Sequence, residues 1–423
     1  MDQIAIIDIG SDKIGTAVAA IDKETGSPRI IGFSAVPSKG IKKSQIIDIN
    51  EASKSLEESI TQAERMAGNR INRAIVVVGG PNIQSLNSHG VVAVNYQTND
   101  IQEEDIERVI ESARAVSLAT TREIIHVLPK EFIVDGQGEI KNPIGMNGVR
   151  LEVNTHIVTA STISLNNIRK VCSMLGIDIE GFVFSGLAAS YAMLSETEKE
   201  IGCMLLDIGA GTTDICVYCD NAVVYTGVIP LGARNVTNDI SAGLRISLES
   251  SEKVKRYLYQ YKDKHPEDTE DEISIASLHL TEKMQNISKK ELVEGIIYPR
   301  LDELLDFLER EIRQNELIGK MPAGIILTGG GMSTPYLRER MADRFSLPVR
   351  TGTPKLLGGV ADELTQPEYA ALVGAMLFSK DMSSKQGGSF TMPELPKIFS
   401  GGAVKEQFSQ VVSFFKNFIP GSK

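Results

Sequence analysis

Two segments of the sequence place an aspartate and a glycine turn directly after an apolar stretch. They are AIIDIGSDKIG at residues 5–15 and LLDIGAGTTD at residues 205–214. In each, an apolar strand ends in an aspartate, followed by Ile-Gly, a small residue and polar residues that lead into a returning strand. Because glycine has no Cβ, backbone N–H groups in such a turn can converge on an anion. The repeated pattern predicts two similarly built halves that face one another across a phosphate-bearing ligand.

The side chains in these turns have the chemistry that a magnesium–phosphate group needs. Asp8 and Asp207 stand where each strand leaves the core, and they can hold a hydrated magnesium ion through its water molecules. Hydroxyl groups and the amino group of Lys13 can contact phosphate oxygens. The residues predicted from the two turns are Asp8, Gly10, Ser11, Lys13, Asp207, Gly209, Gly211, Thr212 and Thr213.

A third loop, TGGGMS at residues 328–333, is predicted between a strand and a helix. Three successive glycines, Gly329, Gly330 and Gly331, permit close approach of a flat or sugar-bearing group, with Met332 beside them. The following helix N-terminus favours negative charge. Ser333 and Thr334 are the expected helix cap, with Pro335 in the first turn.

Glu252 and Lys255 have the polarity to contact a ribose or base edge from the opposite side of the ligand. Any single glycine-rich turn is equally typical of an ordinary tight hairpin. Three such loops in the order strand–hairpin, strand–hairpin, strand–GGG–helix indicate a nucleotide site. The sequence has neither GxxxxGK[ST] nor a strand followed by GxGxxG, so the rival nucleotide motifs are missing.

Composition narrows the class of protein. The chain has 423 residues, a net charge of −11 and 42% hydrophobic residues, which is ample for two to four compact units. The acidic balance argues against a nucleic-acid surface. Four scattered cysteines make no disulfide framework, and five histidines show no metal-ligand spacing. We expect a cytosolic protein, because no signal peptide or membrane-spanning apolar run is present.

The order of apolar strands and amphipathic helices predicts an α/β fold of two mirrored lobes with an inserted small α+β unit. The predicted units are 1–80 with 162–200 and 367–380 for the first lobe, 81–161 for the insertion, 201–236 with 321–366 for the second lobe, 237–320 for a mainly helical subdomain, 381–403 for a flexible linker and 404–423 for a terminal amphipathic helix.

The terminal segment predicts a helix that lies on a membrane. At 100° per residue its apolar side chains fall on one face, with lysines at the edge. The residues assigned to membrane contact are Phe408, Val411, Val412, Phe414, Phe415, Phe418 and Ile419, flanked by Lys405 and Lys416. Sixteen residues reach only about 24 Å, too short to span a bilayer, so the helix is expected in the interface. The alternative is a helix docked on its own core, which would not require the Ser-, Gly- and Pro-rich linker before it.

The three loops resemble the phosphate-1, phosphate-2 and adenosine motifs of the actin/Hsp70/sugar-kinase ATPase superfamily. Within it, the inserted unit, the phrases IKNPIGMNGVRLEVNTHIVTA, GFVFSGLAASYAML and IIYPRLDELL, and the amphipathic tail resemble the FtsA family of bacterial actin homologues. One departure is Ala210, where many relatives have glycine; alanine there would be strained if the position needed a positive φ.

The resemblance implies several functions. They are binding of ATP with Mg²⁺, polymerisation, and attachment of the FtsZ ring to the inner face of the cytoplasmic membrane at the division site. It further implies that the C-terminal peptide of FtsZ binds on 237–320. Arg300, on a predicted 291–318 helix, is either a contact for this peptide or an ordinary surface or cap residue. It places contacts with neighbouring protomers and other divisome proteins on 81–161. Whether the chain is an enzyme stays open, since the resemblance implies at most a slow ATPase.

Three other functions compete with this one. A small-metabolite kinase of the same superfamily would need a positioned base and would have little use for a lipid-binding tail. A chaperone ATPase would carry a substrate domain of a hundred residues or more beyond the ATPase core. An FtsA-like actin homologue of a pilus or secretion platform would normally reach the membrane through protein partners, so the tail argues against it.

Overall fold

Two mixed β-sheets with matching strand order form the frame of the molecule. The computed structural model describes residues 3–22, 27–94, 100–264, 271–282, 286–355, 357–359 and 362–383. The strands are β1 Gln3–Ile9, β2 Lys13–Ile21, β3 Pro28–Pro37, β4 Ile41–Lys42, β5 Gln45–Ile46, β6 Arg73–Val78, β7 Gln84–Ala93, β8 Arg122–Val134, β9 Gln137–Ile140, β10 Arg150–Ser161, β11 Asp178–Phe184, β12 Cys203–Ile208, β13 Thr213–Cys219, β14 Ala222–Ile229, β15 Glu272–Ser274, β16 Asn286–Ser288, β17 Ile325–Thr328, β18 Val349–Thr351 and β19 Gly358–Gly359.

Helices cover the sheets and build the smaller units. They are α1 Ile49–Ala67, α2 Glu103–Arg114, α3 Thr162–Met174, α4 Ser185–Met193, α5 Glu196–Ile201, α6 Ala233–Leu244, α7 Leu248–Lys264, α8 Tyr298–Gln314, α9 Leu337–Phe345 and α10 Ala370–Ser383. A π-helix, Glu291–Ile297, runs directly into α8, and a 3-10 turn, Gly330–Ser333, precedes α9.

The first sheet has the order β11-β6-β1-β2-β3-β19, and the second has the order β18-β17-β12-β13-β14. In both, the strand that ends near an aspartate is central. β1 pairs antiparallel with β2 and parallel with β6, and β12 pairs antiparallel with β13 and parallel with β17. The prediction of two similarly built halves is therefore confirmed by strand order. The central strands β1 and β12 are buried over most of their length and are apolar up to their aspartates, as expected for strands covered on both faces.

Helices α4 and α10 pack against each other between the sheets. A β-carbon built on Gly374 of α10 would lie only 1.8 Å from the carbonyl oxygen of Ala188 in α4. The two backbones therefore touch at this point, and only glycine fits. This contact joins α10, which packs on β1, to α4, which packs on β12.

An inserted unit interrupts the first half. Its four strands have the order β7-β10-β8-β9, and α2 packs on one face. Ile106, Val109 and Ile110 of α2 meet Phe132 and Leu151 in a separate hydrophobic core. The 237–320 region is mainly helical as expected, with a small β15–β16 hairpin.

The C-terminal end of the described chain lies in α10. This helix continues to Ser383, three residues into the predicted 381–403 linker. Its last core residue is Phe378. The rest of the linker and the predicted amphipathic helix at 404–423 lie outside the described residues. In the part of the chain that the structure describes, no helix is long and apolar enough to cross a membrane.

Candidate functional site

The two predicted turns have the same hydrogen-bonded geometry. In the first, the Gly10 N–H donates to the Lys13 carbonyl oxygen at 3.1 Å, and in the second the Gly209 N–H donates to the Thr212 carbonyl oxygen at 2.9 Å. Each glycine lies two residues after an aspartate. The repeated sequence pattern therefore produces the same local structure twice.

A cavity of about 660 Å³ lies between the two turns. Its volume falls within the range of small-molecule sites. Glycine loops, strand ends and the α6–α7 region all contribute to its wall. The predicted residues that line it are Asp8, Gly10, Ser11, Lys13, Asp207, Gly209, Thr212, Glu252, Lys255, Gly329, Gly330 and Gly331.

Three predicted residues lie off the cavity wall. The Thr213 hydroxyl donates to the Leu231 carbonyl oxygen at 2.9 Å, so it ties β13 to the loop before α6. Met332 is partly buried against the core of the second half. Gly211 packs its backbone beside the first turn, where a β-carbon would lie 2.9 Å from Ser11 Oγ. The turn requires close packing at Gly211, and the hydrogen bond to Leu231 holds the Thr213 hydroxyl away from the cavity.

Ala210 adopts a negative φ, since it is absent from the residues with φ above zero. It is the counterpart of Ser11 in the first turn, so alanine causes no backbone strain here. The carbonyl oxygens of Gly209 and Ala210 accept the Ala233 and Arg234 N–H groups at 3.0 and 2.9 Å. These bonds fix the second turn against the start of α6.

The triple-glycine loop lies against the end of β12. Gly329 has φ +84°, and a β-carbon there would lie 2.3 Å from Asp207 Oδ1. A β-carbon on Gly331 would lie 2.5 Å from the Ile208 side chain. The predicted Ser333/Thr334 cap is wrong, because a 3-10 turn intervenes and Tyr336 precedes the first helical residue, Leu337.

Three aspartates at or beside the two turns line the cavity with strongly shifted pKa values, and the sequence predicted two of them, Asp8 and Asp207. The third is Asp214, the residue that ends the LLDIGAGTTD segment. Burial raises the pKa of Asp8 to about 6, with partial offset by Lys13, and raises the pKa of Asp214 to about 7. Burial, and then the charges of Asp214 and Asp8, raise the pKa of Asp207 well above its usual range. A cluster of buried side chains with strongly shifted pKa values is typical of a functional site.

One carboxylate oxygen of Asp214 is buried without a hydrogen bond from any described residue. The Ser185 hydroxyl at the start of α4 donates to Asp214 Oδ2, whereas Oδ1 is buried with no hydrogen-bond partner among the described residues. Buried polar atoms are normally satisfied by protein, water or a ligand. The orphaned oxygen therefore points to a group that the polypeptide does not supply.

The cations of the cavity are already paired with acids. Lys13 Nζ lies 2.5 Å from Glu368 and above the Tyr369 ring, and Lys255 Nζ lies 2.7 Å from Glu252. Burial lowers the pKa of Lys255 and of Lys13, against the opposing effect of their partner carboxylates. The described lining contains seven acidic side chains but only four basic ones. This excess of acidic side chains favours binding of a polyphosphate together with a cation.

The donor set suits a hydrated magnesium ion. Among the described residues, no group of three or more His, Cys, Asp or Glu side chains lies close enough to ligate one metal ion directly. Three separated carboxyl groups, one with a free oxygen, instead match an ion that keeps its waters. Asp8, Asp207 and Asp214 are the residues that would hold it.

Several residues of the cavity wall were not predicted from the sequence. Arg234 pairs with Asp12 across the cavity mouth, and its guanidinium also reaches the Ser11 carbonyl oxygen at 3.5 Å. The remaining missed residues include Gly79, Ser185, Asp214, Thr237 and Glu368. Two of these residues could have been predicted from local sequence. Asp214 is the second aspartate of the LLDIGAGTTD segment, and Gly79 belongs to the Gly-Gly pair that follows β6. The others are far away in sequence, and only folding brings them to the cavity.

Comparisons with known proteins agree with this architecture. The family description "SHS2 domain inserted in FTSA" matches residues 80–159, and "Cell division protein FtsA" matches residues 204–374. The chain is 38% identical over 375 residues to the cell division protein FtsA of Borreliella burgdorferi, covering 89% of this chain and 90% of that one.

Two solved structures show the fold. A PilM–PilN type IV pilus biogenesis complex matches with a TM-score of 0.61 and 15% identity, covering 88% of this chain and 97% of that one. MreB5 of Spiroplasma citri bound to ADP matches with a TM-score of 0.52 and 15% identity, covering 90% and 97%. The chain has the actin-like ATPase fold with an inserted domain.

Proposed function

The chain belongs to the FtsA family of cell-division proteins, and we propose that it binds Mg–ATP between its two lobes, polymerises, and tethers the FtsZ ring to the cytoplasmic face of the cell membrane. The observation that supports nucleotide binding is the shared cavity. Twelve predicted residues from distant parts of the sequence line it. The proposal assigns the site to binding and, at most, slow hydrolysis.

Each part of the cavity has a role in the proposal. The backbone N–H groups of the two turns and the Ser11 and Thr212 hydroxyls face the phosphates. Asp8, Asp207 and Asp214 hold magnesium through its waters. The ion offsets the negative charge of the phosphates, which the acid-rich lining would otherwise repel. Gly330, Glu252 and Lys255 form the wall for the nucleoside.

Titration of the full chain with ATP tests this part of the proposal. We expect one site per chain in the presence of magnesium, and an affinity at least about tenfold lower in EDTA, because seven acids then face an unneutralised polyphosphate. Equal affinity with and without magnesium would contradict the proposed donor set.

The membrane tether rests on the amphipathic pattern of 404–423, together with family membership. Residues 380–423 carry six lysines and three acids in a chain of net charge −11, so this end is locally basic. One such amphipathic helix binds a membrane reversibly, whereas many of these helices on one filament bind with avidity.

Liposome pelleting tests the tether. The full chain should pellet with vesicles that contain anionic lipid, and a chain ending at residue 403 should stay in the supernatant while still binding Mg–ATP. A chain that lacks only residues 420–423 is the matched control and should pellet normally. Pelleting of the chain that ends at 403 would contradict the proposal.

The C-terminal peptide of FtsZ is proposed to bind on 237–320, where Arg300 is the candidate contact. Its guanidinium donates to both carboxylate oxygens of Asp239, at 2.5 and 2.9 Å, and it also pairs with Glu303. Arg300 thus ties α8 to α6 and is not a free cation for an acidic peptide. Peptide binding and urea unfolding of R300A, with R313A on the same helix as control, separate the two roles. A selective loss of peptide binding in R300A at unchanged stability would support contact, whereas a loss of both would show a structural role.

The pilus-platform alternative shares only the fold. The PilM–PilN match is 15% identical, whereas the match to a division protein is 38% identical over most of both chains. Self-assembly and other divisome contacts follow from the same proposal. Sedimentation of the full chain with Mg–ATP on vesicles tests filament formation.

A further inference from the structure

A short hairpin formed by β4 and β5 reaches the cavity beside the two turns. Its two central residues, Lys43 and Ser44, have φ values of +50° and +55°. Positive φ at both positions matches the tight two-residue hairpin turn, but this conformation is costly for residues other than glycine, asparagine or aspartate. The surrounding structure therefore holds this turn in place.

The hairpin makes a specific bond to the first phosphate turn. The Ser44 N–H donates to Ser11 Oγ at 2.8 Å. Ser11 is buried and lines the cavity, as does Ser44. A hydroxyl oxygen that accepts one hydrogen bond still has its own proton to donate. In the described part of the chain no acceptor takes that proton, so the bond from Ser44 leaves the Ser11 hydroxyl as a donor facing the cavity.

The same tip is packed against the opposite half. A β-carbon on Gly211, in the second turn, would lie 3.2 Å from Lys43 Cα. A β-carbon on Gly80, where φ is +96°, would lie 2.6 Å from the Lys43 carbonyl oxygen. Lys43 thus fills the gap between the two turns and the segment that enters the insertion, and glycine at each facing position allows this close contact.

The base of the hairpin is anchored as well. The Gly40 carbonyl oxygen accepts the Ile47 and Asp48 N–H groups at 2.8 and 3.1 Å. The Asp48 side chain then caps α1 by accepting the Asn50 N–H at 2.9 Å. The tip is therefore fixed relative to a long helix of the first half.

We propose that the 41–46 hairpin positions the phosphate end of the site: the Ser44 amide orients the Ser11 hydroxyl into the cavity, and Lys43 sets the spacing of the two turns. Ser44 is a positioning residue that acts through Ser11. This inference rests on the proposed binding of Mg–ATP.

A double-mutant cycle on the full chain tests it, with Mg–ATP affinity as the measurement. S11A removes the hydroxyl, and S44P removes the amide donor and is incompatible with positive φ. Each should lower affinity about fivefold to tenfold, as expected for one hydrogen bond. The double variant should bind no more weakly than S44P alone, because the two residues act through one bond. Multiplying losses, or unchanged affinity in S44P, would overturn the proposal.

Controls keep the test decisive. S44G retains the amide and accepts positive φ, so its Mg–ATP affinity should stay within about twofold of that of the wild type. G295A, at a position where a β-carbon meets nothing within 4 Å, is the folding control.

If S44P fails to fold, hydrogen exchange of wild-type residues 41–48 replaces it. Mg–ATP should slow exchange there, and unchanged exchange would overturn the proposal. Failure of the wild type to bind Mg–ATP would overturn the proposed function as well, whereas normal binding with insensitive hairpin variants would overturn this inference alone.

Discussion

Asp207 and Asp214 face each other directly across the β12–β13 pair, whereas the residue that faces Asp8 across β1–β2 is Gly15. The two halves thus share one turn geometry but differ in charge at the same register position. The second half carries an extra carboxyl group, and the mutual repulsion contributes to the raised pKa of Asp207. This difference makes the second turn the more acidic side of the cavity.

Replacing Asp214 by asparagine should separate stability from binding. D214N removes a repelling, partly unsatisfied carboxyl group, so we expect the ligand-free protein to gain about 1 kcal/mol in free energy of unfolding. Mg–ATP affinity should fall at least about tenfold because one holder of the hydrated ion is lost. Urea unfolding and nucleotide titration measure the two effects. D220N, at the exposed end of the same hairpin, should change neither. A stability loss in D214N would contradict the repulsion argument.

The Arg234–Asp12 ion pair should affect ligand exchange more than folding. Both side chains are more than half exposed, so R234A should lower the free energy of unfolding by less than about 1 kcal/mol. Because the pair joins the two halves at the cavity mouth, we expect faster nucleotide release, measured by stopped-flow displacement. D12A should have the same effect, and the double variant should add nothing further. Additive increases in the release rate would show that the two residues act separately.

Gly374 should tolerate no side chain. G374A places a β-carbon 1.8 Å from the Ala188 carbonyl oxygen, so α4 and α10 must separate. We expect a loss of about 3 kcal/mol or more in free energy of unfolding, as for a severe overpacking substitution. Thermal unfolding measures it, with G295A as the unstrained comparison. A melting temperature equal to that of the wild type would contradict the close helix contact.

Glu198 should contribute stability that depends on pH. Burial alone would raise its pKa, but hydrogen bonds from Arg350 and Ser195 outweigh this and lower the pKa to about 2, against an ordinary value of 4.5. The Arg350 contacts are bidentate, at 2.6 and 2.8 Å. The stabilisation is therefore complete above pH 4.5 and declines as pH falls towards 2.

The variant E198Q should lower the free energy of unfolding by about 2 kcal/mol at pH 7, a value reduced for partial solvent screening. The difference between wild type and variant should shrink between pH 5 and pH 3 in urea titrations. K199Q, next in sequence, should show no such convergence. A constant difference across this pH range would contradict the assigned ion pair.

The repeat, the two turns and the residues that these turns contribute to the cavity wall could be predicted from the sequence, because these features are local. An apolar strand, an aspartate and a glycine turn lie within about ten consecutive residues, and their hydrogen bonds join neighbours such as Gly10 and Lys13. The strand order of the two halves was not predicted and is known from the structure alone.

Residues such as Arg234, Ser185 and Glu368 could not be found in the same way. Their partners, Asp12, Asp214 and Lys13, lie far away in sequence, and no periodicity connects them. The error at the third loop had a local cause. Threonine is a residue type favoured at helix caps, so Thr334 was predicted to be one. A 3-10 turn instead extends the glycine loop, and α9 begins at Leu337.

The proposed function requires that Asp8 and Asp207, which are distant in sequence, serve one ligand. Calorimetric titration of the wild type, D8N and D207N with Mg–ATP tests it most directly. We predict one site per wild-type chain and a loss of affinity of at least about tenfold in each variant, with both variants still folded. A full-affinity site in either variant, or two independent sites per chain, would contradict the account.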